Sequence, residues 1–335
     1  MAGGRSGRVR TADGPRHRSR WPDLRRRFRK RPDSGIRTAA GYPSLSARSI
    51  LIAFASFYLS SVLPSVGLAQ GINTNVALAV AEDEGIFRSQ IRYRRATDDP
   101  AGIGRELDVV AVPQTLVYGV TPRFTSFFTL PIVAYRRIEA ADGSVRRDEG
   151  LGDLRILGRY TFFVDDYAPL STRRAALIAG LKFPTGTDLI GTESFDPIFG
   201  AVGTWAFNRH EIDLDALYML TTKRRDFEAG DELRYDLAYR YRLWPARFGK
   251  RLLQLNGLLE INGRWSDKAR ADGNTVAASG GSVIYLSPGV QFIAKRAIVE
   301  ASFQVPIWQD FNGSQLEDDW MAVLSVRIPF TLGLR

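Results

Sequence analysis

LRYDLAYRYRL, the stretch Leu233–Leu243, alternates strictly between two kinds of side chain. Its odd-numbered positions are all leucine or tyrosine, and its even-numbered positions are all charged apart from Ala238. Because successive side chains of a β-strand point to opposite faces, this pattern predicts a strand with one apolar and one ionic face. A helix would scatter both kinds around its circumference. The apolar face could pack on the core of a soluble sheet, or it could meet lipid in a transmembrane barrel whose ionic face lines a wet lumen.

The net charge of +10 comes entirely from the first 69 residues of the chain. These residues hold 14 of the 46 lysines and arginines but only 3 of the 36 acids, so 32 basic and 33 acidic residues remain, a net charge of −1. A basic chain suggests a nucleic-acid partner, but this distribution argues against one. We expect residues 1–48 to be a basic disordered extension, or the product of a misassigned translation start.

Residues 49–69, SILIAFASFYLSSVLPSVGLA, have the layout of a secretory signal peptide. Arg48 precedes an apolar run that ends in a small-x-small cleavage site at Ala69. Serines and Pro64 interrupt the run, and a spanning helix needs about 20 apolar residues, so an uncleaved anchor is the less favoured alternative. We predict cleavage between Ala69 and Gln70, which leaves 335 − 69 = 266 residues without a single cysteine.

Between residues 86 and 330 the same alternation recurs in twelve segments. At about 9–13 residues each, they are long for soluble strands but suit tilted membrane crossings. Short turns such as Asn208-Arg209 and Lys295-Arg296 alternate with longer charged loops such as 137–151 and 267–281. This asymmetry is typical of an outer-membrane barrel with both termini in the periplasm. A soluble sandwich has no reason to sort its loops by parity.

The predicted fold class is therefore all-β: a transmembrane, antiparallel, up-and-down β-barrel of about 12 strands over residues 86–330. Closure of the barrel would also remove the exposed edges of its strands. Residues 70–85 are then a periplasmic N-terminal segment, either a plug or a tail, and residues 331–335 are a C-terminal tail. The predicted location is the outer membrane of a Gram-negative bacterium.

Three short motifs carry a resemblance to a known family. They are GLGDLRILGRY at Gly150–Tyr160, KFPTG at Lys182–Gly186 before a long loop, and Ser287-Pro288-Gly289 in a late strand. In these features the chain resembles the bacterial family named for the meta-pathway of phenol degradation. Its members are outer-membrane barrels, proposed as transporters of aromatic or other hydrophobic compounds. The resemblance implies passage of a solute without naming it. The chain departs from the usual aromatic ending of such barrels, since Phe330 is followed by Thr331–Arg335.

The exported part of the chain offers little for catalysis or metal binding. It contains one histidine, His210, and no cysteine. A hydrolase needs a nucleophile, a base and an orienting group together, and no partner for His210 can be assigned. Metal ligands are equally scarce, and Gly150-Leu151-Gly152 opens a strand instead of a helix, so no nucleotide loop is indicated. The acids Glu317-Asp318-Asp319 could bind calcium, but a solvated loop is the simpler interpretation. We predict no catalytic residue, metal or cofactor.

If the apolar faces meet lipid, the polar faces of the strands line the lumen. The residues predicted to line it are Arg155, Arg159, Glu211, Asp213, Asp215, Arg234, Asp236, Arg240, Arg242, Glu260, Asn262, Arg264, Glu300 and Gln304. Acids and bases are mixed in this set, which allows paired charges that brace a closed lumen or a narrow wet pore. Twelve strands lie between filled eight-strand barrels and open porins, so both outcomes stay open.

The favoured function is an outer-membrane channel or transporter for small hydrophobic or aromatic solutes, by passive passage through a charged lumen. Its expected partners are outer-membrane lipid, a small-molecule solute and the barrel-assembly machinery, without nucleic acid. One alternative is a structural or loop-mediated interaction barrel, which would show no conductance in planar bilayers. A less favoured alternative is an outer-membrane hydrolase, which would depend on His210.

Overall fold

A computed structural model describes residues 71–140, 142–187, 190–224, 226–247 and 253–332, whose main sheet is antiparallel and closes on itself. Its twelve strands are β1 (Glu84–Ala96), β2 (Glu106–Ala111 and Gln114–Thr121), β3 (Phe124–Leu130 and Ile132–Glu139), β4 (Val145–Leu151 and Arg155–Ala168), β5 (Ser171–Lys182), β6 (Asp196–Phe207), β7 (His210–Met219), β8 (Glu232–Trp244), β9 (Gln254–Ser266), β10 (Gly281–Ile293), β11 (Ile298–Phe311) and β12 (Trp320–Thr331). Each strand pairs with its neighbours in sequence, and β12 returns to β1 from Thr331↔Glu84 to Trp320↔Arg95. The predicted up-and-down barrel of about 12 strands is confirmed.

Several predictions fall on residues that the structure does not describe. The extension at residues 1–48, the signal peptide at 49–69 and the cleavage site at Ala69 and Gln70 all lie outside the described residues, so they stay predictions. Three further short strands, Phe227–Glu228, Arg270–Ala271 and Asn274–Thr275, form a small separate sheet. Among the residues that are described, no helix is long and apolar enough to cross a membrane.

Strand β8 shows how the alternation works in the folded barrel. The side chains of Ala238 and Arg240 face inward and are buried, whereas those of Leu237, Tyr239 and Leu243 are more than 40% exposed on the outside. The same alternation recurs around the barrel, so the outer surface is apolar and the interior is polar. An apolar exterior without free strand edges is the surface that a bilayer requires of a spanning sheet.

Strands β2, β3 and β4 are longer than the membrane-crossing strands predicted for them. Beyond a break at Pro131, which has no N–H to donate, Ile132–Glu139 pairs with Val145–Leu151 to form a hairpin, and Arg136 holds Asp148 at 2.8 Å. The prediction of a loop over residues 137–151 is therefore wrong, because only 140–144 is a turn. Both faces of this hairpin carry charged residues, which hides the strand period.

The two ends of the barrel differ in their connections. At one end, here called the turn end, the connections are 122–123, 169–170, 208–209, 245–253 and 294–297. At the opposite loop end they are 97–105, 140–144, 183–195, 220–231, 267–280 and 312–319. β1 begins and β12 ends at the turn end. The predicted asymmetry holds, with 245–253 as the one long connection among the turns.

The described residues before β1 enter the barrel, where residues 71–80 lie. The amide of Asp83 donates to the carbonyl of Gly119 and that of Glu84 to Ala81, both at 3.1 Å, so the chain reverses direction at the turn end before β1 begins. Gly119 is required for this close approach, because a Cβ there would lie 2.0 Å from the Ala81 oxygen. Sequence analysis left a plug or a tail open; residues 71–80 lie within the barrel as a plug, here called the inner segment.

Candidate functional site

Backbone amides of the inner segment donate to side chains on four strands. The pairs are Val80 to Thr125 on β3, Ala77 to Thr204 on β6, Asn75 to Asp215 on β7 and Ile72 to Glu260 on β9, all at 2.5–3.1 Å. These four strands occur in this order around the barrel. The segment therefore follows the inner wall as it runs from the turn end. The side chains of Ile72, Val76, Ala77 and Val80 are at most 1% exposed.

Arginines bind the carbonyl groups of the same segment. Arg159 donates to the Val76 oxygen at 2.6 Å and to the Leu78 oxygen, and Arg327 donates to the Gly71 oxygen at 2.8 Å. Arg159 and Arg327 are each 1% exposed. An arginine offers five fixed N–H donors and no acceptor, so it can satisfy buried carbonyl oxygens that an extended chain cannot satisfy within itself.

Glu260 is the main acceptor for the start of the segment. Its carboxylate accepts the amides of Ile72 at 2.9 Å and Asn73 at 3.1 Å, together with the side-chain amide of Asn73 at 2.7 Å. Glu260 is 0% exposed. A buried carboxylate is tolerated when donors replace its hydration, and here the plug itself supplies those donors.

A second network of buried ionic groups surrounds the start of the segment. Glu300 contacts Arg327 at 2.9 Å and Arg88 at 3.4 Å, and it accepts the Gln291 amide at 2.7 Å. Next to it lie two smaller sets of side chains: Arg240 pairs with Glu211, while Asn262 bonds Ser287 and Gln304. The inner segment and these groups together form what we call the sealed level.

Toward the loop end the lumen becomes accessible. Arg234 shares the inward face of β8, yet its side chain is 44% exposed. Its neighbours in the lumen, Arg92, Arg155 and Arg264, are half-buried. Because Arg234 points into the lumen, its exposed surface must face open space within the lumen. We call the region of these four arginines the vestibule.

The fourteen predicted lumen residues separate between these two levels. Those buried are Arg159, Glu211, Asp213, Asp215, Arg240, Arg242, Glu260, Asn262, Glu300 and Gln304. Arg155, Asp236 and Arg264 are half-buried, and Arg234 is exposed. Sequence analysis missed the inner segment and six polar side chains around it, although all but Thr204 come from clearly alternating strands. They are Arg88, Arg92, Thr204, Asn256, Gln291 and Arg327.

Two of the motifs shared with the family meet at the loop end. Asp153, in the break of β4, accepts the amides of Gly186 at 2.9 Å and Thr192 at 2.8 Å, and the ammonium group of Lys182 pairs with Asp196 beside it. Burial raises the pKa of Asp153, but the hydrogen bonds from Thr192 and Gly186 outweigh burial and hold this pKa below its usual value. These motifs anchor loop 183–195.

The other candidate groups have structural partners. His210 Nδ1 lies 2.7 Å from the Tyr239 hydroxyl and its ring stacks on Phe207. No group of three or more His, Cys, Asp or Glu that could hold a metal occurs among the described residues. The expectation of a solvated acidic loop is wrong for Asp318, which is 2% exposed and paired with Arg94 at 2.6 Å, because the loop folds back onto β1.

A closed twelve-strand antiparallel barrel with an apolar exterior and a charged interior is an outer-membrane β-barrel. The sequence agrees with this class. Residues 101–309, more than half of the chain, match the family model described as "Putative MetA-pathway of phenol degradation", so the chain belongs to that family. The resemblance found in the sequence is thereby confirmed. No curated protein matches the chain.

Solved structures resemble this chain at low sequence identity. An outer membrane channel from Pseudomonas putida F1 has a TM-score of 0.64 at 13% identity, with 79% of this chain and 100% of that chain covered. The β domain of the Bordetella autotransporter BrkA reaches 0.45 at 14% identity (74% and 100% covered). The NanC porin reaches 0.43 at 10% identity (72% and 98% covered). The first of these shows that the fold is that of a Gram-negative outer-membrane barrel; the other two resemble it more distantly.

Proposed function

We propose that this protein is an outer-membrane channel for small hydrophobic or aromatic solutes, with its loop end outside the cell and its turn end in the periplasm. The observation that carries the proposal is the contrast between an accessible vestibule and an inner segment held by hydrogen bonds and small apolar clusters. A solute enters at the loop end and passes when the inner segment is displaced. The phenol-degradation description of the family supports aromatic solutes, and the family resemblance supports hydrophobic ones.

Passage in this proposal is passive and needs no catalytic group or cofactor. Outer-membrane lipid covers the apolar exterior, and the barrel-assembly machinery inserts the chain. The charged residues of the lumen have two roles: the buried ones hold the inner segment, and the exposed ones contact the solute. The bracing by Glu260 and Arg159 also favours a second candidate, a permanently closed structural barrel that acts through its loops.

A disulfide lock on the inner segment separates these two candidates. Ala77 and Ala176 lie in the same buried cluster, and the chain has no cysteine of its own, so the two cysteines of the A77C/A176C variant have no other thiol in the chain with which to pair. Liposome swelling with aromatic acids and sugars measures passage before and after reduction. We expect the oxidised variant to be impermeable and the reduced variant to match the unmodified protein.

The two single-cysteine variants are the controls, because they carry the same changes in volume without a bond. Equal passage in the oxidised and reduced states would show that the inner segment is not the barrier. Absence of passage and of bilayer conductance in every variant would favour the closed structural barrel.

A further inference from the structure

Four arginines are grouped in the vestibule. Arg234 of β8 lies directly opposite Arg264 of β9 in the register. Like charges in such a pair destabilise a sheet. Arg155 and Arg92 are close enough to Arg234 for their charges to interact with it. Asp153 and Asp196 act on Arg155, and Glu260 acts on Arg92, but these acids also bind the Thr192 amide, Lys182 and the inner segment. Two further carboxylates, Glu232 and Asp236, face Arg234.

Those two carboxylates are already engaged. Glu232 pairs with Arg234 at 2.5 Å, and Asp236 accepts the side-chain amide of Asn262 at 2.9 Å. Among the described residues, Arg155 and Arg264 have neither an ion-pair partner nor a side-chain hydrogen bond, and Nε of Arg155 is buried without a partner. Leaving a buried donor unpaired costs free energy, so Arg155 and Arg264 retain N–H donors that an added acceptor would pair.

The vestibule also has an apolar floor. Leu157 and Leu217 are only partly buried and pack on the cluster around Ala77 of the inner segment. They fit because β5 and β6 carry glycine beneath them: a Cβ at Gly180 would lie 2.6 Å from Leu157 Cδ2, and one at Gly200 would lie 2.4 Å from Leu217 Cδ2. Leu157 is two residues from Arg155 on the same face, and Leu217 lies opposite Arg234. Apolar surface thus adjoins the arginines.

We propose that the vestibule is a binding site for a small organic anion with an apolar body, whose carboxylate pairs with Arg155 and Arg264. Guanidinium groups present paired donors that match a carboxylate, and the body covers Leu157 and Leu217. The site narrows the solute class of the channel from aromatic compounds in general to organic acids. Its role in transport rests on the proposed function, but its ligand binding does not.

Calorimetric titration of the protein in a non-ionic detergent tests the site with three probes. Benzoate carries both charge and apolar body, acetate carries the charge alone, and benzyl alcohol carries the body alone. We expect acetate and benzyl alcohol each to bind about tenfold more weakly than benzoate, because each loses one of the two contacts. Benzoate binding should also weaken as salt is added, because salt screens the attraction.

Variants in the vestibule identify the residues that bind. The R155Q/R264Q variant should bind benzoate about tenfold more weakly, whereas Arg296→Gln, an exposed arginine in the turn 294–297, should bind it normally. R155K, which keeps the charge, should fall between. Migration of the unheated barrel on gels checks that every variant is folded.

Two results would overturn the proposal: equal affinity for benzoate and benzyl alcohol, or benzoate binding unaffected in R155Q/R264Q. Passage of benzoate into liposomes is measured separately. If benzoate binds but does not pass, even through the reduced A77C/A176C variant, the proposed channel is contradicted and the binding site is not. If benzoate passes without binding, the binding site is contradicted and the channel is not.

Discussion

The sealed level and the vestibule use the same residue types but differ in how those residues are paired. At the sealed level each of Glu260 and Glu300 meets several donors and is at most 1% exposed. In the vestibule Arg155 and Arg264 have no ion-pair partner among the described residues, and Arg234 stays 44% exposed. The comparison teaches that charged residues on the inner face of a barrel do not by themselves indicate a pore. Charges that already have partners hold the inner segment in place, whereas charges without partners can bind a solute.

The largest expected effect comes from removing the anchor of the sealed level. Glu260→Ala leaves the buried amides of Ile72 and Asn73 without acceptors. We expect a loss of about 3 kcal/mol in the free energy of unfolding, since unpaired buried groups cost about 1–3 kcal/mol each. Urea unfolding in lipid vesicles measures the loss, and cleavage of the N-terminus by proteinase K reports release of the inner segment.

Glu260→Gln is the matched variant, because its amide oxygen still accepts one of these bonds. It should lose less stability than Glu260→Ala and resist cleavage longer. If Glu260→Ala proved as stable and as resistant as the unmodified barrel, Glu260 would not be the anchor.

A second prediction concerns the place where the inner segment enters the barrel. Gly119→Ala puts a Cβ 2.0 Å from the Ala81 oxygen, so the turn into β1 must shift. Overpacking of this kind costs about 1–3 kcal/mol. Gly203→Ala is the control, because a Cβ at Gly203 meets nothing within 4 Å. Thermal unfolding of the two variants should separate them, and identical midpoints would refute the tight approach.

The sequence predicted the barrel far better than the inner segment. Strands such as Leu233–Leu243 reveal themselves by a local period, and local order is what sequence patterns record. The inner segment, which begins GINTNVALAV at Gly71, has no charge and no strict alternation. Its position depends on backbone amides, which every sequence has, meeting acceptors as distant as Glu260, 188 residues from Ile72. Such contacts exist only after the barrel has closed.

The lumen set shows the same limit at the level of single residues. The alternation indicated that Arg155, Arg159 and Glu260 all point into the lumen. It could not separate the paired Arg159 from the unpaired Arg155, because the partners of Arg159 are carbonyl oxygens of Val76 and Leu78. Pairing across a closed barrel is a property of three-dimensional proximity.

A third prediction is a gain in stability, in contrast to the loss expected for Glu260→Ala. Arg264→Gln removes one of two like charges that lie opposite each other in the vestibule. Because such a pair is destabilising by about 0.2–1 kcal/mol, we expect the variant to unfold at slightly higher urea than the unmodified barrel. Addition of benzoate should stabilise the unmodified barrel more than the variant. A loss of stability in Arg264→Gln would show that Arg264 is a brace.

The smallest expected effect lies at the loop end and depends on pH. The pKa of Asp153 is lower in the folded protein than in the unfolded chain. Its stabilisation is therefore complete above the unfolded pKa, near 3.9, and is lost as the pH falls through the lower folded value. Hydrogen exchange at the Thr192 amide, corrected for intrinsic rates, should be slow at pH 7 and become faster as the pH falls below the unfolded pKa of the carboxyl group. In Asp153→Asn this exchange should no longer depend on the charge of residue 153.

The burial of Arg159 and Arg327 has a consequence for how the protein can be handled. Both are 1% exposed, while Leu214 and Leu324 are 60% and 58% exposed. The hydrophobic effect therefore cannot drive this chain to its native fold in water, because it would bring the apolar outer faces of different strands together. Refolding from urea requires an amphiphile from the start. Without one, the alternation that specifies the barrel would instead drive its strands into aggregates.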